Sequence, residues 1–485
     1  MKVRIYILML MSLMTSCTGW LSVDSTDRIM EDTLYEDRDG FYTALNGVYI
    51  DLVKTSLYSG TFGPSVPDIL AQYYDTSVDS HMNGSLAQFQ AESKRLAVSD
   101  SWTRAYYLIL NLNKTIEKAD EHKGTVLNDM DHALIKGEAL ALRALLHFEL
   151  FRYFAPSYSL SPAAKAIPYA TSSDPQVYPV LKSSEVVSRL KADLKDAMDL
   201  LKKHDPVITE GKKEVDNGGR NLYNYRNLRM NYFAVKALAA RVNMYLGYTY
   251  RDEALRLAEE VIRDAARFFP FSTRDEVTGQ AAVGSVTASA QDRILSSDIL
   301  FAVYNVKRGE DIYEKLFSNT LEVKQLLAMS DNGYRNLYPE EGDLRTYQWQ
   351  RKKDVLGNDM MCMVKYEAME VAGKNYPYMI PVLRMSEMYL IVAECYAGVD
   401  DTKAYESLNA LRNARQTSSV DSSIELHIEN EYVREFVGEG QLFWYYKRKN
   451  ADSLTPLYDR SRSAVTMDPS YYLFELPQSE GGYRD

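Results

Sequence analysis

The chain has 485 residues, 46% of them hydrophobic, and a formal net charge of −11 at pH 7. This length supplies a large core, and the acidic balance argues against nucleic acid or an anionic membrane surface as a partner. The three cysteines are Cys17, Cys362 and Cys395, so the fold depends on packing more than on disulfides. Whether Cys362 and Cys395 pair is left open by the sequence.

The N-terminus has the pattern of a secretory signal peptide. Two basic residues precede an apolar run over residues 5–14, which is too short to cross a bilayer as a mature helix. Small residues before Cys17 resemble a lipobox, although the preferred leucine falls one place early. We predict a signal peptide at residues 1–16, acylation of Cys17 and a lipidated tether at residues 17–40. An ordinary signal peptide with an incidental cysteine is the alternative.

Helical periodicity is the main signal in the rest of the chain. Apolar positions recur at helical spacing, and several such segments come in pairs joined by short turns. The predicted helices cover residues 101–120, 131–154, 187–201, 235–246, 254–265, 385–396 and 404–411. Each helical hairpin leaves an apolar face that a neighbouring hairpin must cover, as in tetratricopeptide repeats. The sequence therefore predicts a mainly α fold with little β-structure, a tetratricopeptide-like scaffold over residues 41–268 and 380–448.

Long segments without helical period separate these hairpins, and the longest covers residues 269–379. Within this loop-rich insertion we predict one helix near residues 312–327 and a β-strand near residues 299–304. Because the hairpins on both sides need each other for burial, we expect one domain over residues 41–485. Loops on a rigid support commonly carry binding groups, so ligand residues are expected there.

Charged residues lie among the apolar stripes near the C-terminal hairpin, where partial burial requires ion-pair partners. They fall on two segments, Arg384, Glu387 and Glu394 on the first and Arg434, Glu435 and Glu439 on the second. We interpret them as salt bridges of the scaffold. Two carboxylates in such a set do not by themselves indicate a glycosidase pair.

The sequence carries no recognisable catalytic or metal-binding motif. Its six histidines are scattered, without His-x-x-x-His spacing, and no Cys-x-x-Cys motif occurs. Nucleophile-elbow, phosphate-loop and dinucleotide fingerprints are also missing. We therefore predict a protein that is not an enzyme, with no catalytic residue, no metal ligand and no cofactor.

An ordered set of motifs from Cys17 to the C-terminus resembles the SusD/RagB family of outer-membrane lipoproteins. Individually these motifs are weak, and their order carries the resemblance. They are Asp39-Gly-Phe-Tyr at a helix start, Trp102 with Tyr106 and Asn113, Glu138-Ala with Arg143-Ala and Tyr153-Phe154, Arg384 with Glu387 and Glu394, Arg434-Glu435 with Glu439-Gly440, and Pro477 with Glu480. Tyr445 stands where the family often has Asp.

The resemblance implies a SusD-like α-superhelix that binds a nutrient at the cell surface without catalysis. The nutrient would be a glycan or oligosaccharide, or a peptide in some members, and would pass to a SusC-like TonB-dependent outer-membrane transporter. The resemblance also implies an outer-membrane location, anchored by lipid and facing the cell exterior. Bound calcium and the identity of the ligand are left open. A peptide-binding or pure protein-interaction scaffold in the same transporter complex is the alternative.

Tyrosine is the compositional outlier, with 37 Tyr against 15 Phe and 4 Trp. A phenol combines an apolar face with a polar tip, which suits both stacking on sugars and half-buried packing between helices. Exposed aromatic and polar residues on loops are therefore the candidate ligand groups. These candidates are Tyr73, Tyr74 and Asp75 in the first long loop, Trp102 at a helix start, and Arg345, Tyr347 and Trp349 in the insertion. For each aromatic residue, simple packing is the competing interpretation.

Overall fold

The computed structural model describes residues 33–215, 222–281, 285–286, 291–371 and 373–481. The predicted signal peptide, Cys17 and the tether up to residue 32 lie outside these ranges. The described chain forms sixteen α-helices. They are α1 (Arg38–Leu52), α2 (Val66–Leu70), α3 (Gly84–Ala87), α4 (Ala91–Glu121), α5 (Asp129–Phe154), α6 (Ser183–His204), α7 (Val207–Glu210), α8 (Tyr232–Leu246), α9 (Arg251–Ala265), α10 (Arg274–Thr278), α11 (Asp331–Leu337), α12 (Met385–Tyr396), α13 (Asp401–Ala414), α14 (Ile424–Glu435), α15 (Leu442–Lys449) and α16 (Gln478–Gly481).

Successive long helices pack side by side to form the scaffold. Helix α4 packs on α5, α5 on α6, α6 on α8, α8 on α9, α9 on α12 and α12 on α13. The predicted mainly helical fold of stacked hairpins is therefore confirmed, and the hairpins α8–α9 and α12–α13 lie where periodicity places them. The contact between α9 and α12 joins the helices before the insertion to those after it.

Helix α9 shows why the hairpins form. Ala254, Leu257, Ala258 and Val261 are buried on one stripe, while most of its charged residues lie on the other side. Helix α8 is buried on nearly all sides because it packs between α6, α9 and α12. Each fully buried large apolar side chain contributes about 1.5–3 kcal/mol. None of the described helices is both long and apolar enough to cross a membrane.

The little β-structure in the described chain is antiparallel. The strands are β1 (Gln280–Ala281), β2 (Ser285–Val286), β3 (Ile299–Tyr304), β4 (Ala328–Met329), β5 (Trp349–Lys353), β6 (Asp359–Met363), β7 (Met379–Arg384), β8 (Ser453–Leu454) and β9 (Val465–Thr466). Strand β3 confirms the predicted strand near residues 299–304 and pairs with β7. Because β7 leads directly into α12, this pair fastens the end of the insertion to the scaffold.

The helix predicted near residues 312–327 is wrong in extent. A π-helix occupies Gly309–Phe317, and the chain then continues through turns. The hydroxyl of Ser318 lies 2.8 Å from the Thr320 hydroxyl and accepts a bond from the Thr320 backbone N–H at 3.3 Å. Short polar side chains compete in this way with the helical hydrogen-bond ladder, so the helix ends at Phe317.

A buried ionic cluster joins the insertion to the C-terminal helices. Glu435 accepts hydrogen bonds from Arg345 at 3.2 Å and Arg415 at 2.5 Å, and it pairs with Arg384 at 2.9 Å. Asp298, in the turn before β3, pairs with Arg384 at 3.2 Å and with Arg415 at 2.5 Å. All five side chains are buried. Because buried charges are stable only when paired, each member of the cluster depends on the others.

The predicted scaffold salt bridges are confirmed for Arg384, which pairs with Glu435 and, at 2.8 Å, with Glu439. Three other predicted members find different partners: arginines of neighbouring helices lie next to Glu387 and Glu394, and Arg434 pairs within its own helix. These pairs are Glu387 with Arg241 at 2.6 Å, Glu394 with Arg448 at 2.5 Å and Arg434 with Glu431 at 2.8 Å.

Acid should weaken the buried ionic cluster through Glu431, which pairs with the cluster member Arg345 at 2.7 Å. Burial acts to raise the pKa of Glu431, but its bonds to Arg345, Arg434 and Arg412 hold that pKa below the ordinary value. A carboxyl with a depressed folded-state pKa stabilises the fold above the unfolded-state pKa, about 4.3 for Glu, and loses this effect as the pH falls through the folded-state pKa. The difference in unfolding free energy between wild type and Glu431→Gln should therefore shrink below about pH 4.3. Urea denaturation across the pH range measures it, and a constant difference would contradict the prediction.

The two described cysteines are buried free thiols, so no disulfide joins Cys362 and Cys395 within the described chain. Cys362 packs in a small apolar cluster of the insertion, and burial raises the pKa of its thiol to about 11. The Cys395 sulfur lies 3.8 Å from the sulfur of Met244. Both residues therefore act as small apolar side chains in the packing.

Candidate binding site

Most of the ligand residues predicted from the sequence lie inside the core. The Tyr73 phenol donates a hydrogen bond to the Val433 carbonyl at 2.6 Å, and the Trp102 indole donates to Glu480 at 2.8 Å. Large aromatic surfaces gain more free energy in such packing than on a wet loop. The expectation of exposure is therefore wrong for five candidates, each at most 4% exposed, namely Tyr73, Tyr74, Trp102, Arg345 and Trp349.

The other two candidates, Asp75 and Tyr347, are partly exposed. The Asp75 carboxylate accepts bonds from the backbone N–H and the hydroxyl of Ser77, at 2.9 and 2.6 Å, which closes its own turn. Tyr347 packs against Leu295 and its buried neighbours. Ligand binding by these two residues stays a prediction.

A cavity of about 600 Å³, here named the insertion cavity, opens between four loops. These four parts of the wall are the turn after α7, the segment before α8, the short helix α10 together with the turn before β3, and the loop before β7. Its polar and aromatic lining residues are Lys212, Glu214, Tyr225, Asp275, Glu276, Asp292, Ser296, Ser297, Lys374, Asn375 and Tyr376. A volume of this size is typical of small-molecule sites.

Four partly exposed tyrosines, here named the tyrosine cluster, lie at or next to the insertion cavity. Tyr225 and Tyr376 line it. Tyr304 and Tyr378 adjoin the lining residue Met379, Tyr304 as its strand partner and Tyr378 as its chain neighbour, and their ring centroids are 5.4 Å apart. Burial first, and then the phenols of Tyr378 and Tyr225, raise the pKa of Tyr304. Tyr304 is 37% exposed. The cluster therefore presents apolar ring faces and polar tips beside a polar cavity.

Hydrogen bonds between loops hold the polar wall of the cavity. Lys212 Nζ donates to the Ser297 carbonyl at 2.7 Å, and the Ser297 hydroxyl donates to Glu276 at 2.9 Å. The Asp292 carboxylate accepts from the backbone N–H and the hydroxyl of Ser296, at 2.7 and 2.8 Å. Glu276 and Asp292 are thus engaged in holding their own loops.

Burial shifts the pKa values of several side chains in the cavity wall. It raises the pKa of Asp292, and together with the charge of Asp292 it raises the pKa of Tyr376 to about 12. Burial also acts to raise the pKa of Glu276, but bonds from the Thr273 backbone and the Ser297 hydroxyl keep that pKa below its ordinary value. In the part of the chain that the structure describes, no three His, Cys, Asp or Glu side chains are grouped to hold a metal ion.

Three described residues beside the cavity, Lys213, Tyr225 and Leu295, have a left-handed backbone. Tyr225 has a φ of 46° and Leu295 a φ of 56°, and each directly precedes a 3-10 turn. A residue with a β-carbon is strained in this conformation by about 1–3 kcal/mol, so the surrounding structure must hold it there. Such strain is concentrated at binding and catalytic sites in proteins.

Arg308 anchors the loop that carries Tyr376. Its buried guanidinium donates to the carbonyls of Tyr376 and Met379, each at 3.0 Å. The Tyr366 ring centroid lies 5.5 Å from the guanidinium carbon, and burial lowers the pKa of Arg308 to about 10. A charged donor that bonds to two backbone carbonyls holds this side of the cavity in place.

Replacing Arg308 with Met should loosen the loop before β7. Hydrogen bonds to a charged group contribute about 1.5–3 kcal/mol each, so losing two should raise amide hydrogen exchange at Tyr378 at least about tenfold. Hydrogen–deuterium exchange with mass spectrometry measures this effect. Lys307→Met, which changes an exposed neighbour, is the matched control and should leave the exchange unchanged. Equal protection in the two variants would contradict the anchoring role.

Two family models match the chain. One, described as starch-binding associating with outer membrane, matches residues 49–210. The other, described as SusD family, matches residues 288–471. The chain belongs to the SusD/RagB family. Carbohydrate binding and association with the outer membrane are the role and location that this membership supports.

Solved structures share the fold of this SusD/RagB chain. A SusD superfamily protein from Bacteroides thetaiotaomicron VPI-5482 is 20% identical, with a TM-score of 0.70 over 92% of this chain and 98% of that one. A SusD-like carbohydrate binding protein from Bacteroides vulgatus ATCC 8482 is 18% identical, with a TM-score of 0.68 over 92% and 96%. Surface glycan-binding protein A from Bacteroides fluxus is 18% identical, with a TM-score of 0.59 over 91% and 95%. No curated protein matches this chain.

A second cavity, of about 800 Å³, runs along the SusD/RagB scaffold between α6, α8 and α9. Charged residues dominate its rim and pair with one another, Lys236 with Glu260 at 2.5 Å and Arg256 with Glu253 at 2.7 Å. A ligand in this groove must compete with these ion pairs. The insertion cavity, with its partly exposed rings, is therefore the better candidate site.

Sequence reasoning missed the tyrosine cluster of this SusD/RagB chain. The run Asn375-Tyr-Pro-Tyr after Gly373 could have indicated an irregular loop that carries two tyrosines, because Gly and Pro commonly mark such loops. A position between helices does not decide exposure, because Tyr73 also lies between helices and is buried. Exposure of the ring depends on contacts that the local sequence does not contain.

Proposed function

We propose that this protein binds a glycan at the insertion cavity. The observation that carries the proposal is the tyrosine cluster beside a polar cavity of about 600 Å³. A sugar ring has an apolar C–H face and a rim of hydroxyls, and these match phenol faces and groups such as Asn375 and Glu214. The carbohydrate-binding character of the SusD/RagB family supports the same class of ligand.

We infer capture of the glycan without hydrolysis. Glycoside hydrolysis needs two carboxyl groups that flank one bond, one of them available as an acid and the other as a base or nucleophile. Among the described residues, four carboxylates line the insertion cavity, and two of them, Glu276 and Asp292, are already hydrogen-bonded to Ser297 and Ser296. This engagement supports a binding role for the cavity.

We further infer that Cys17 is acylated and that the protein delivers its ligand to a SusC-like TonB-dependent transporter on the outer face of the outer membrane. The support is the lipobox-like segment before Cys17 and the family membership. Cys17→Ala should release the protein from the membrane fraction, and affinity purification of wild type should recover an outer-membrane barrel protein. Retention of the variant in membranes would contradict the lipid anchor.

Calorimetry of the mature protein against a panel of soluble polysaccharides, oligosaccharides and peptides tests the proposed function. Saturable binding of at least one glycan, with no change in its reducing ends on long incubation, is the expected result. Release of reducing ends would contradict capture without hydrolysis. Binding of peptides alone would favour the alternative, a peptide-binding helical scaffold.

A further inference from the structure

A small cavity of about 30 Å³ lies where α5, α8, α12 and α15 meet, away from the insertion cavity. Arg152 of α5, Arg241 and Tyr245 of α8, Glu387 of α12 and Trp444 of α15 contribute to its lining. A cavity needs about 10–15 Å³ to hold one water molecule, so there is room for one or two small species.

Four hydrogen-bond donors on the lining side chains have no partner among the described residues. They are Arg152 Nε, Arg241 Nη1, the Tyr245 hydroxyl and Trp444 Nε1. The four side chains are 1%, 6%, 4% and 2% exposed, respectively. Leaving a buried donor unsatisfied destabilises the folded state, and folded proteins contain few such groups. Four around one cavity therefore indicate that it holds an acceptor.

The carboxylate of Glu387 and the amide oxygen of Gln441, both in the same lining, already accept hydrogen bonds. Both Glu387 oxygens accept from Arg241, at 2.7 and 2.6 Å, and Gln441 Oε1 accepts from Arg152 Nη1 at 2.9 Å. A water molecule has two hydrogens to donate as well as two lone pairs, so it matches this arrangement poorly. A species that only accepts hydrogen bonds matches it well.

These groups also act as hydrogen-bond donors in the folded protein. The Trp444 indole N–H and the guanidinium N–H groups cannot act as acceptors. Burial raises the pKa of Tyr245, which keeps its hydroxyl protonated and able to donate. The guanidinium of Arg241 pairs with Glu387 and that of Arg152 pairs with Glu149, so the ion pairs hold both cations in place beside the cavity.

We propose that this cavity is a binding site for a single halide ion, chloride under physiological conditions. Its volume of about 30 Å³ suits a monatomic ion better than sulfate or a sugar, and the four donors that lack a partner in the described ranges come from three helices. The ion would accept hydrogen bonds from Arg152, Arg241, Tyr245 and Trp444 and would link the first half of the scaffold to α15. This role is structural and separate from glycan capture in the insertion cavity.

Crystals of the wild-type protein grown in sodium bromide test the proposal directly, because bromide replaces chloride and scatters anomalously at its absorption edge. The expected result is an anomalous peak within hydrogen-bond distance of Trp444 Nε1 and the Tyr245 hydroxyl. Density for a water molecule without an anomalous peak, or an empty cavity, would overturn the proposal.

Thermal unfolding gives a second, independent readout. A ligand that binds only the folded state raises the unfolding temperature with its concentration, here by about 1 °C or more per tenfold chloride. Sodium gluconate at matched concentration keeps the sodium constant and lacks a halide. The double variant Trp444→Phe with Tyr245→Phe keeps both rings and removes two donors, so it should lose the chloride response. Tyr248→Phe, on an exposed ring, should keep it.

The bromide crystals and the unfolding temperatures together distinguish a halide site from a general effect of salt. A bromide peak with a chloride response that the double variant lacks supports the site. An unfolding temperature that depends equally on chloride and gluconate overturns it, since ionic strength alone then explains the effect. If the double variant does not fold, the bromide experiment on wild type still decides the question.

Discussion

Replacing Glu435 with Ala should lower the free energy of unfolding by about 3–5 kcal/mol, because removing one partner of a buried ion pair leaves uncompensated charge. Three buried guanidiniums meet at this carboxylate, those of Arg415 at 2.5 Å, Arg384 at 2.9 Å and Arg345 at 3.2 Å. Domains are stable by about 5–15 kcal/mol in total, so the variant should be close to its unfolding limit. Urea denaturation followed by circular dichroism measures the loss.

Two further variants separate charge from volume in this experiment. Glu435→Gln keeps the size of the side chain and loses its charge, so it should be nearly as destabilising as Glu435→Ala. Glu406→Ala removes an exposed carboxylate from α13 and should change stability by no more than about 0.5 kcal/mol. A loss below about 1 kcal/mol for Glu435→Ala would mean that the cluster behaves like a surface ion pair, contrary to the expectation.

Replacing Tyr376 with Ala should weaken glycan binding at least about tenfold. Truncating a central aromatic residue of a binding site commonly costs about 2 kcal/mol or more, and about 1.4 kcal/mol corresponds to a factor of ten in affinity. Tyr376 lines the insertion cavity and is held by the bond from Arg308 to its carbonyl at 3.0 Å. Calorimetry with the glycan identified from the panel measures the change in affinity.

Two control variants test whether the loss of affinity comes from the Tyr376 ring itself. Tyr248→Ala removes a ring that is 78% exposed on the helical scaffold, and it should leave the affinity unchanged. Tyr376→Phe keeps the stacking face and should retain most of the affinity. Equal weakening by Tyr248→Ala and Tyr376→Ala, or no weakening by either, would place the binding site elsewhere.

Much of the scaffold could be predicted from the sequence. The stripe of Ala254, Leu257, Ala258 and Val261 is a local property of consecutive residues, and it specifies both the helix and its buried face. The π-helix Gly309–Phe317 was harder to predict, because apolar residues continue at helical spacing beyond the point where short polar side chains end the helix.

The candidate site could be predicted only in outline. The sequence indicates a loop-rich insertion as the place for ligand residues, and Tyr376 and Tyr378 lie in that insertion. It does not indicate which rings are exposed. Trp349 is buried and bonded to the Tyr338 hydroxyl at 3.4 Å, while Tyr304, the last residue of a buried strand, is 37% exposed.

The sequence by itself determined the helical hairpins, the acidic character and the family resemblance, because each of these is visible in neighbouring residues or in their order. Only the tertiary structure decided which aromatic residues reach solvent and which acids meet which arginines. The Tyr73 phenol bonds to Val433, 360 positions away, and the Trp102 indole bonds to Glu480, 378 positions away. Burial of such rings depends on contacts between distant segments, and a local pattern holds no information about the partner on the other side.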